Sequence, residues 1–332
     1  MSIRPCVIFF LLSLTHVSVE AGPKVRIATL NCNFLARQTV HVKYGLNLEK
    51  KLWTPEETAT WTEAYRNERF RESVASIAVA VKRINADVIV LCEIGEGPDA
   101  AALLEEVNRP APLYPFAIVA DSSDTATAQS VAVFSKVELT NGQGQIPGRE
   151  SYETELDDLD EESDTALSKG LVTDFQVGSQ LVHLYATHLK SERGGHESDA
   201  QRIAQASIVR RNYLAQLRRG EHVIVAGDLN DHPGQPAIRR IMGRDDIDDD
   251  LLFTGHAKFF DQSKLDDRWS FSYLGHRELI DYVLISKSLR EQTLRGGSIL
   301  AETLPVTEKL GDSDILATDH RSFILTLELA EE

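Results

Sequence analysis

His222–Asp231 reads HVIVAGDLND. Its first five residues are mostly apolar and β-branched, the make-up of a strand buried on both faces. Gly227 ends that run, and Asp228, Leu229, Asn230 and Asp231 follow at once. Gly, Asn and Asp are ordinary turn residues, so the stretch alone reads as a strand entering a turn. Its meaning depends on whether other strands of the chain end the same way.

Strand-like runs, rich in Val, Ile, Phe and Tyr and bordered by Gly, Pro or Asn, recur at 24–31, 87–93, 116–120, 130–135, 171–177, 181–188, 222–228, 280–286 and 322–329. Two long helices interrupt them. Thr54-Pro55-Glu56-Glu57 is a capping box with Pro at the first helical position, and Phe70, Val74, Ile77, Val81 and Ile84 then share one face. The second helix, near 197–218, sets Ile203, Ala206, Tyr213 and Leu217 on a similar stripe; a shorter one follows Asp99. Adjacent strands such as 171–177 and 181–188 suggest hairpins, so the sheet is not purely parallel. Two packed mixed β-sheets with helices outside fit best, in a single α/β domain over 22–332 without repeats or linkers.

Several of these strands deliver polar side chains. The first ends in Asn31, with Asn33 beyond it; the second ends in Glu93, and 181–188 ends in His188. The 280–286 segment brings Asp281, the run into the last strand brings Asp319 and His320, and the opening stretch brings Asp228 and Asn230. Taken singly, each is a surface charge, a hydrogen-bonded structural histidine or a turn cap. Six such places together are another matter, because ionisable groups at buried strand ends cost desolvation energy unless paired or bound to an ion.

The ordered series TLNCN, DVIVLCEI, SVAVFSK, YATHLK, GDLND, IDYVLIS and TDHRS resembles the endonuclease/exonuclease/phosphatase superfamily, with its deoxyribonuclease-like fold, from residue 24 to about 329. Any one motif is weak; GDLND followed by IDY and a near-terminal DH is strong. The resemblance implies a four-layer sandwich of two mixed β-sheets flanked by helices, and a metal-dependent phosphoester hydrolase. It implies Glu93 as the main metal carboxylate, Asn31 beside it, and Asp319 completing or water-bridging the shell. Such oxygen donors suit Mg²⁺, with Mn²⁺ or Ca²⁺ as alternatives. The resemblance further implies that Asp228 orients or deprotonates the attacking water and that Asn230 donates to a phosphate oxygen. Asp281 and His320 form a carboxylate–imidazole pair, and His188 assists the leaving group as a donor or general acid. Two apart in an extended segment, Asp228 and Asn230 face the same way. The chain departs from some relatives at Ser135 and Lys136, where nucleases carry a phosphate-binding Tyr or Arg; neither receives a catalytic role. Lys190 and Arg193 are better placed to meet substrate.

Composition bounds the partners. The net charge of −16 argues against a basic cleft gripping a polyanion along its length, although a bound metal reverses the sign locally. Arg4, the apolar run Cys6–Leu14 and Val19-Glu20-Ala21 form a signal-peptide pattern over 1–21; the run is too short for a membrane anchor, so a secreted or periplasmic, soluble monomer is expected. Beyond it only Cys32 and Cys92 remain, with buried thiols as the first reading and a single bridge as the second. The acidic runs 150–164 and 244–250 read as solvated loops, with a calcium site as the sharper alternative. No G-x-S-x-G, Walker or H-E-x-x-H pattern is present, and GQGQIPG (142–148) lacks dinucleotide-binding spacing.

The expected activity is an exported phosphodiesterase, with a nuclease ahead of a phospholipid or small-molecule phosphodiesterase or phosphatase, and nucleic acid one candidate partner. Trp53, Trp61 and Trp269 are either base-stacking residues or core. From another class, a binding or toxin-like module could keep the fold with a weakened site; the full set of polar strand ends argues against it.

Overall fold

The computed structural model describes residues 22–44, 63–125, 127–156, 159–243, 251–253, 268–294, 298–310 and 313–329. The first half runs β1 (Lys24–Leu35), a 3₁₀ turn (Val40–Tyr44), α1 (Glu63–Ile84), β2 (Val88–Ile94), α2 (Gly97–Val107), β3 (Phe116–Val119), β4 (Ser130–Ser135), β5 (Leu139–Gln145), β6 (Arg149–Leu156) and β7 (Leu159–Ala166). Next come β8 (Gly170–Val177), β9 (Gln180–His188), α3 (Gly195–Arg218), β10 (His222–Asp228), α4 (Pro236–Met242) and β11 (Leu251–Phe253). The chain closes with β12 (Phe271–Tyr273), β13 (His276–Glu278), β14 (Asp281–Ser286), α5 (Lys287–Leu294), β15 (Ser298–Leu310) and β16 (Ser313–Glu328).

Two mixed sheets carry the fold. One has the order β13-β12-β16-β1-β2-β4-β3, with β15 also on β16; the other has the order β11-β14-β10-β9-β8-β5. Within them β1–β2 and β9–β10 are parallel, which places the exits of four strands at one end of the molecule. Alternation along β1 and β2 explains the layering. Val25, Ile27, Val88, Val90 and Cys92 pack between the sheets, whereas Ala28, Leu30, Cys32, Ile89 and Leu91 face the other way. On that outer face the α1 stripe Phe70, Val74, Ile77, Val81 and Ile84 is buried, each large side chain contributing about 1.5–3 kcal/mol. Ala206, Tyr213 and neighbours on α3 cover the second sheet. The four layers are thus helix, sheet, sheet, helix.

Cys32 and Cys92 point to opposite faces of one sheet, which accounts for two free thiols and excludes a bridge between them. One expectation is corrected. Residues 150–164 are not a loop: β6 and β7 pair antiparallel from Arg149↔Ala166 to Leu156↔Leu159. Arg211 of α3 holds Glu150 at 2.6 Å and Arg149 holds Asp164 at 2.5 Å, so cations from the hairpin's base and from the helix answer part of the acidic run. The signal-peptide pattern, the 54–57 capping box, Trp53, Trp61 and the 244–250 run lie outside the described residues. Among the described residues no helix is long and apolar enough to cross a membrane.

At the far end of the second sheet, His183 Nδ1 lies 2.7 Å from Asp174 Oδ1, and its Nε2 lies 3.2 Å from Glu221. The bond to Asp174 lifts the His183 pKa above its ordinary 6.5 despite burial, so the charged ring stabilises the fold. That contribution is complete below pH 6.5 and is lost as pH rises through the folded value. His183→Gln is therefore expected to lower the thermal midpoint at about pH 5.5 by more than at about pH 8.5, with EDTA in both samples. A pH-independent difference would refute the assignment.

Candidate active site

The polar strand ends meet at the mouth between the two sheets. β10 supplies Asp228, which is 1% exposed and lies in register with His188 of β9 on one side and Asp281 of β14 on the other. From the opposite sheet Asn31 Nδ2 donates to Asp228 Oδ2 at 2.8 Å. The same carboxylate oxygen stands 3.9 Å from His188 Nε2 and 3.9 Å from His320 Nε2. His320 is turned by Asp281, whose Oδ2 lies 2.7 Å from Nδ1.

Backbone irregularity aims these groups. Cys92 faces inward, so a regular β2 would send Glu93 outward. Instead Glu93 is left-handed (φ 56°), as are Asn33 (φ 51°) and Phe34 (φ 53°) on the neighbouring strand, and the β1–β2 register shifts there. The Phe34 N–H then donates to Glu93 Oε2 at 2.8 Å, and the Asn33 N–H to Asn31 Oδ1 at 2.9 Å. Strain of this kind is held in place by surrounding structure and concentrates at functional sites. On β10, Gly227 (φ 142°) passes against the Thr187 carbonyl; the strand stops at Asp228, so the expected extended Asp228–Asn230 segment is corrected, and Asn230 (φ 48°) folds back so that its N–H donates to Asp228 Oδ1 at 2.9 Å.

The sequence model of the Endonuclease/Exonuclease/phosphatase family matches residues 28–320. The chain belongs to that family. Its fold is similar to truncated TDP2 of Caenorhabditis elegans (TM-score 0.54, 14% identity, covering 92% of this chain and 98% of that one). It also resembles a beta toxin variant from Staphylococcus aureus with bound magnesium ions (0.52, 15%, 91% and 99%). A third similar structure is a family protein from Leptotrichia buccalis (0.53, 14%, 92% and 100%). No curated protein sequence matches the chain.

For this family member the electrostatics of the mouth are strongly polarised. Burial, reinforced by Asp281, lifts the Asp228 carboxyl to about 7. Burial alone would depress His320, but Asp281 and then Asp228 raise it to about 10, so its ring is charged at neutral pH. His188 goes the opposite way: burial first, then the Lys169 and His320 charges, push it well below its usual range and keep it neutral. Glu93 is raised by burial and by the Asp319 carboxylate.

These residues fit a hard divalent cation. Glu93 and Asp319 are two half-buried carboxylates whose charges act on one another, with the Asn31 side chain beside Glu93. Asp281 Oδ1 is a buried acceptor without a hydrogen-bond partner. Carboxylate charge gathered at this density, answered among these groups only by the His320 ring, favours a further positive ion. Magnesium-type ligation by oxygen is the chemistry this donor set offers.

Position bears on the residues around the mouth. Ser135 is buried and donates to the Val137 carbonyl at 2.6 Å, while Lys136 reaches Asn85 and Asp87; Ser135 pairs with Val88 and the Lys136 N–H with the Asp87 carbonyl, at the far end of β2 from Glu93. Lys190 and Arg193 lie in the loop after His188, with Arg193 exposed and the Lys190 N–H held by Gln205 Oε1 at 2.8 Å. Asn230 spends one amide N–H on the Leu189 carbonyl at 3.0 Å, leaving the other for a ligand.

Other contributors were not foreseen. Thr318 Oγ1 donates to the Asn31 carbonyl at 2.8 Å and accepts from the His320 N–H at 3.1 Å, tying β16 to β1. Ser270 Oγ accepts the Ile280 and Asp281 N–H groups, each at 3.0 Å, and fixes the Asp281 backbone. Phe271 packs on the His320 ring at 4.8 Å between centroids. Lys169, paired with Asp124 at 3.4 Å, supplies the positive field felt by His188. Thr318 could have been found beside Asp319 in the TDHRS motif; a lone Lys before a strand carries no signal.

Proposed function

We propose that this family member is an exported phosphodiesterase of the nuclease type, working with a hard divalent cation. The observation that carries the reading is Asp228: one buried carboxylate, gripped by Asn31, with two imidazoles in opposite protonation states at the same distance from one oxygen. A structural carboxylate needs no such pair. Export rests on the signal-peptide pattern of residues 1–21.

Glu93 and Asp319, with Asn31 beside them, would hold Mg²⁺, or Mn²⁺ or Ca²⁺ in its place, and that ion, when bound, neutralises charge on the phosphoryl oxygens. Asp228, with a pKa of about 7, is matched to accept a proton from an attacking water near neutral pH. Asp281 fixes the His320 tautomer, so the charged ring presents its Nε2–H to a phosphoryl oxygen. Neutral His188 serves the leaving oxygen as a hydrogen-bond donor rather than as an acid. Asn230 adds its second N–H to the phosphate. These donors stand in place before substrate arrives, which is the main source of transition-state stabilisation in such sites.

A second reading has its own observation. The β12–β13 hairpin, whose Phe271 touches His320, exposes Tyr273 (56%) and Leu274 (83%) at its tip. An apolar tip beside the mouth favours a phospholipid phosphodiester over nucleic acid. The test is a substrate panel of plasmid DNA, RNA, sphingomyelin, phosphoinositides and a chromogenic phosphodiester, each with and without EDTA. EDTA is expected to abolish hydrolysis, and Glu93→Gln to raise the Mg²⁺ requirement by at least about tenfold, the lower end of what even outer-shell changes cost. No EDTA-sensitive cleavage of any phosphodiester would overturn the proposal; lipid cleavage alone would select the second reading.

A further inference from the structure

A second set of ligand atoms converges beside the mouth and has no part in the chemistry above. Glu192 lies in the loop leaving β9, His232 follows directly on the Asp228–Asp231 exit of β10, and Glu278 ends β13, three residues before Asp281. One carboxylate oxygen from each glutamate and one ring nitrogen of His232 all lie within 4.8 Å of one another. The shortest recorded approach is 3.7 Å, between Glu192 Oε1 and His232 Nε2.

The three side chains come from separate segments, and each backbone is anchored. The His232 N–H donates to Asp231 Oδ1 at 3.0 Å, while Asp231 Oδ2 accepts the Ala237 N–H at 3.0 Å. Arg202, buried on α3, lies 4.0 Å from Asp231 and donates to the Lys190 carbonyl at 3.3 Å, so it braces the loops bearing His232 and Glu192. The Glu278 carbonyl accepts the Ser270 N–H at 2.8 Å. Three chain segments thus hold their donors toward one point without a hydrophobic contact among the donors themselves.

The donor types select the ion. An imidazole nitrogen with two carboxylates is a ligand set for a borderline divalent metal, not for Mg²⁺ or Ca²⁺, which take oxygen. Tetrahedral bonds of about 2.0–2.2 Å put neighbouring ligand atoms about 3.3–3.6 Å apart. The Glu192–His232 pair is already close to that edge at 3.7 Å. Glu278 is partly buried, and closing the remainder would call only for its side chain to rotate. Burial holds the Glu192 carboxyl above its usual range, although His232 and Arg202 pull it down.

We propose that Glu192, His232 and Glu278 form a second metal site, for an ion of the zinc class, that ties together the segments carrying His188, Asn230 and Asp281. It differs from the centre at Glu93 in both ligands and metal preference. The competing account is an ion pair between protonated His232 and the glutamates, which takes up no metal.

The test uses the full chain, dialysed against Zn²⁺ with Mg²⁺ in large excess, and counts bound zinc by elemental analysis. Wild type and Glu93→Gln are expected to retain one equivalent that His232→Asn and the Glu192→Gln/Glu278→Gln double variant lose. Zinc should raise the thermal midpoint by several degrees in wild type and by less than about one degree in those variants. Co²⁺ in place of zinc should give a nitrogen-ligated visible spectrum that His232→Asn lacks. Equal zinc content in wild type and both variants would overturn the proposal, as would loss of the equivalent in Glu93→Gln rather than in His232→Asn. The double variant keeps the test decisive if His232→Asn folds poorly.

Discussion

Asp228→Asn is expected to lower the metal-dependent turnover by about 10³-fold, within the 10²–10⁴ range for removing a positioned base, while leaving the protein folded. The two consequences separate because the side chain has two separable jobs. Its Oδ1 accepts the Asn230 N–H, and a carboxamide oxygen can keep that bond. Its Oδ2 accepts Asn31 Nδ2, and there the new amide meets a donor, which costs about one hydrogen bond, roughly 1 kcal/mol. A loss of that size moves the thermal midpoint by no more than about 4 °C. What the amide cannot do is take a proton or hold the charges of His320 in balance. Steady-state kinetics on the cleaved substrate, beside a thermal melt, check both halves. Turnover within tenfold of wild type would remove Asp228 from the reaction.

Gly227→Ala is expected to be the most damaging glycine-to-alanine change among the described residues. A Cβ at this position would stand 1.8 Å from the Thr187 carbonyl oxygen and 2.9 Å from its carbon, both backbone atoms with no rotamer to yield. The residue also sits at φ 142°, which L side chains rarely adopt. Gly227 pairs with Thr187 in the parallel β9–β10 ladder, so relief requires parting the two central strands of the sheet. Overpacking and backbone strain together cost about 4 kcal/mol, enough to unfold many domains. The variant should accumulate as insoluble protein. Should it remain soluble, His188 and Asp228, the next pair along, will have moved apart and activity will be lost. Soluble, active Gly227→Ala with an unchanged melt would contradict the packing described here.

His188 and Asp228 were readable because an apolar run stops abruptly at each, where β9 and β10 do end; β2 instead runs one residue past Glu93, β1 continues to Leu35, and Asp319 and His320 lie inside β16 rather than before it. Their order along the chain then pointed to the family and its layers. How Glu93 reaches the mouth was not readable. Alternation sends it outward, and only paired left-handed residues on β1 and β2, which no composition announces, turn it inward. Edge and solvent-facing strands were also missed. β5 (LTNGQGQ) and the acidic β6–β7 pair are mostly polar in sequence and need no apolar pattern to form a ladder. Ser270, Thr318 and Lys169 act through backbone groups and fields, whose partners lie 11, 287 and 19 positions away respectively.

Three of the contacts that assemble the mouth cross between the sheets. Asn31 to Asp228, the Asp228 N–H to Cys92 Sγ, and His320 to Asp281 each run from one β-sheet to its partner, whereas the ladders run within a sheet. The reactive centre is therefore a lamination joint. A slip of about 1 Å between the sheets can cost about 10²-fold in rate without breaking a single strand pair. Under mild heat or dilute denaturant, activity should fade while circular dichroism stays flat, making turnover the finer gauge of how tightly the two halves are pressed together.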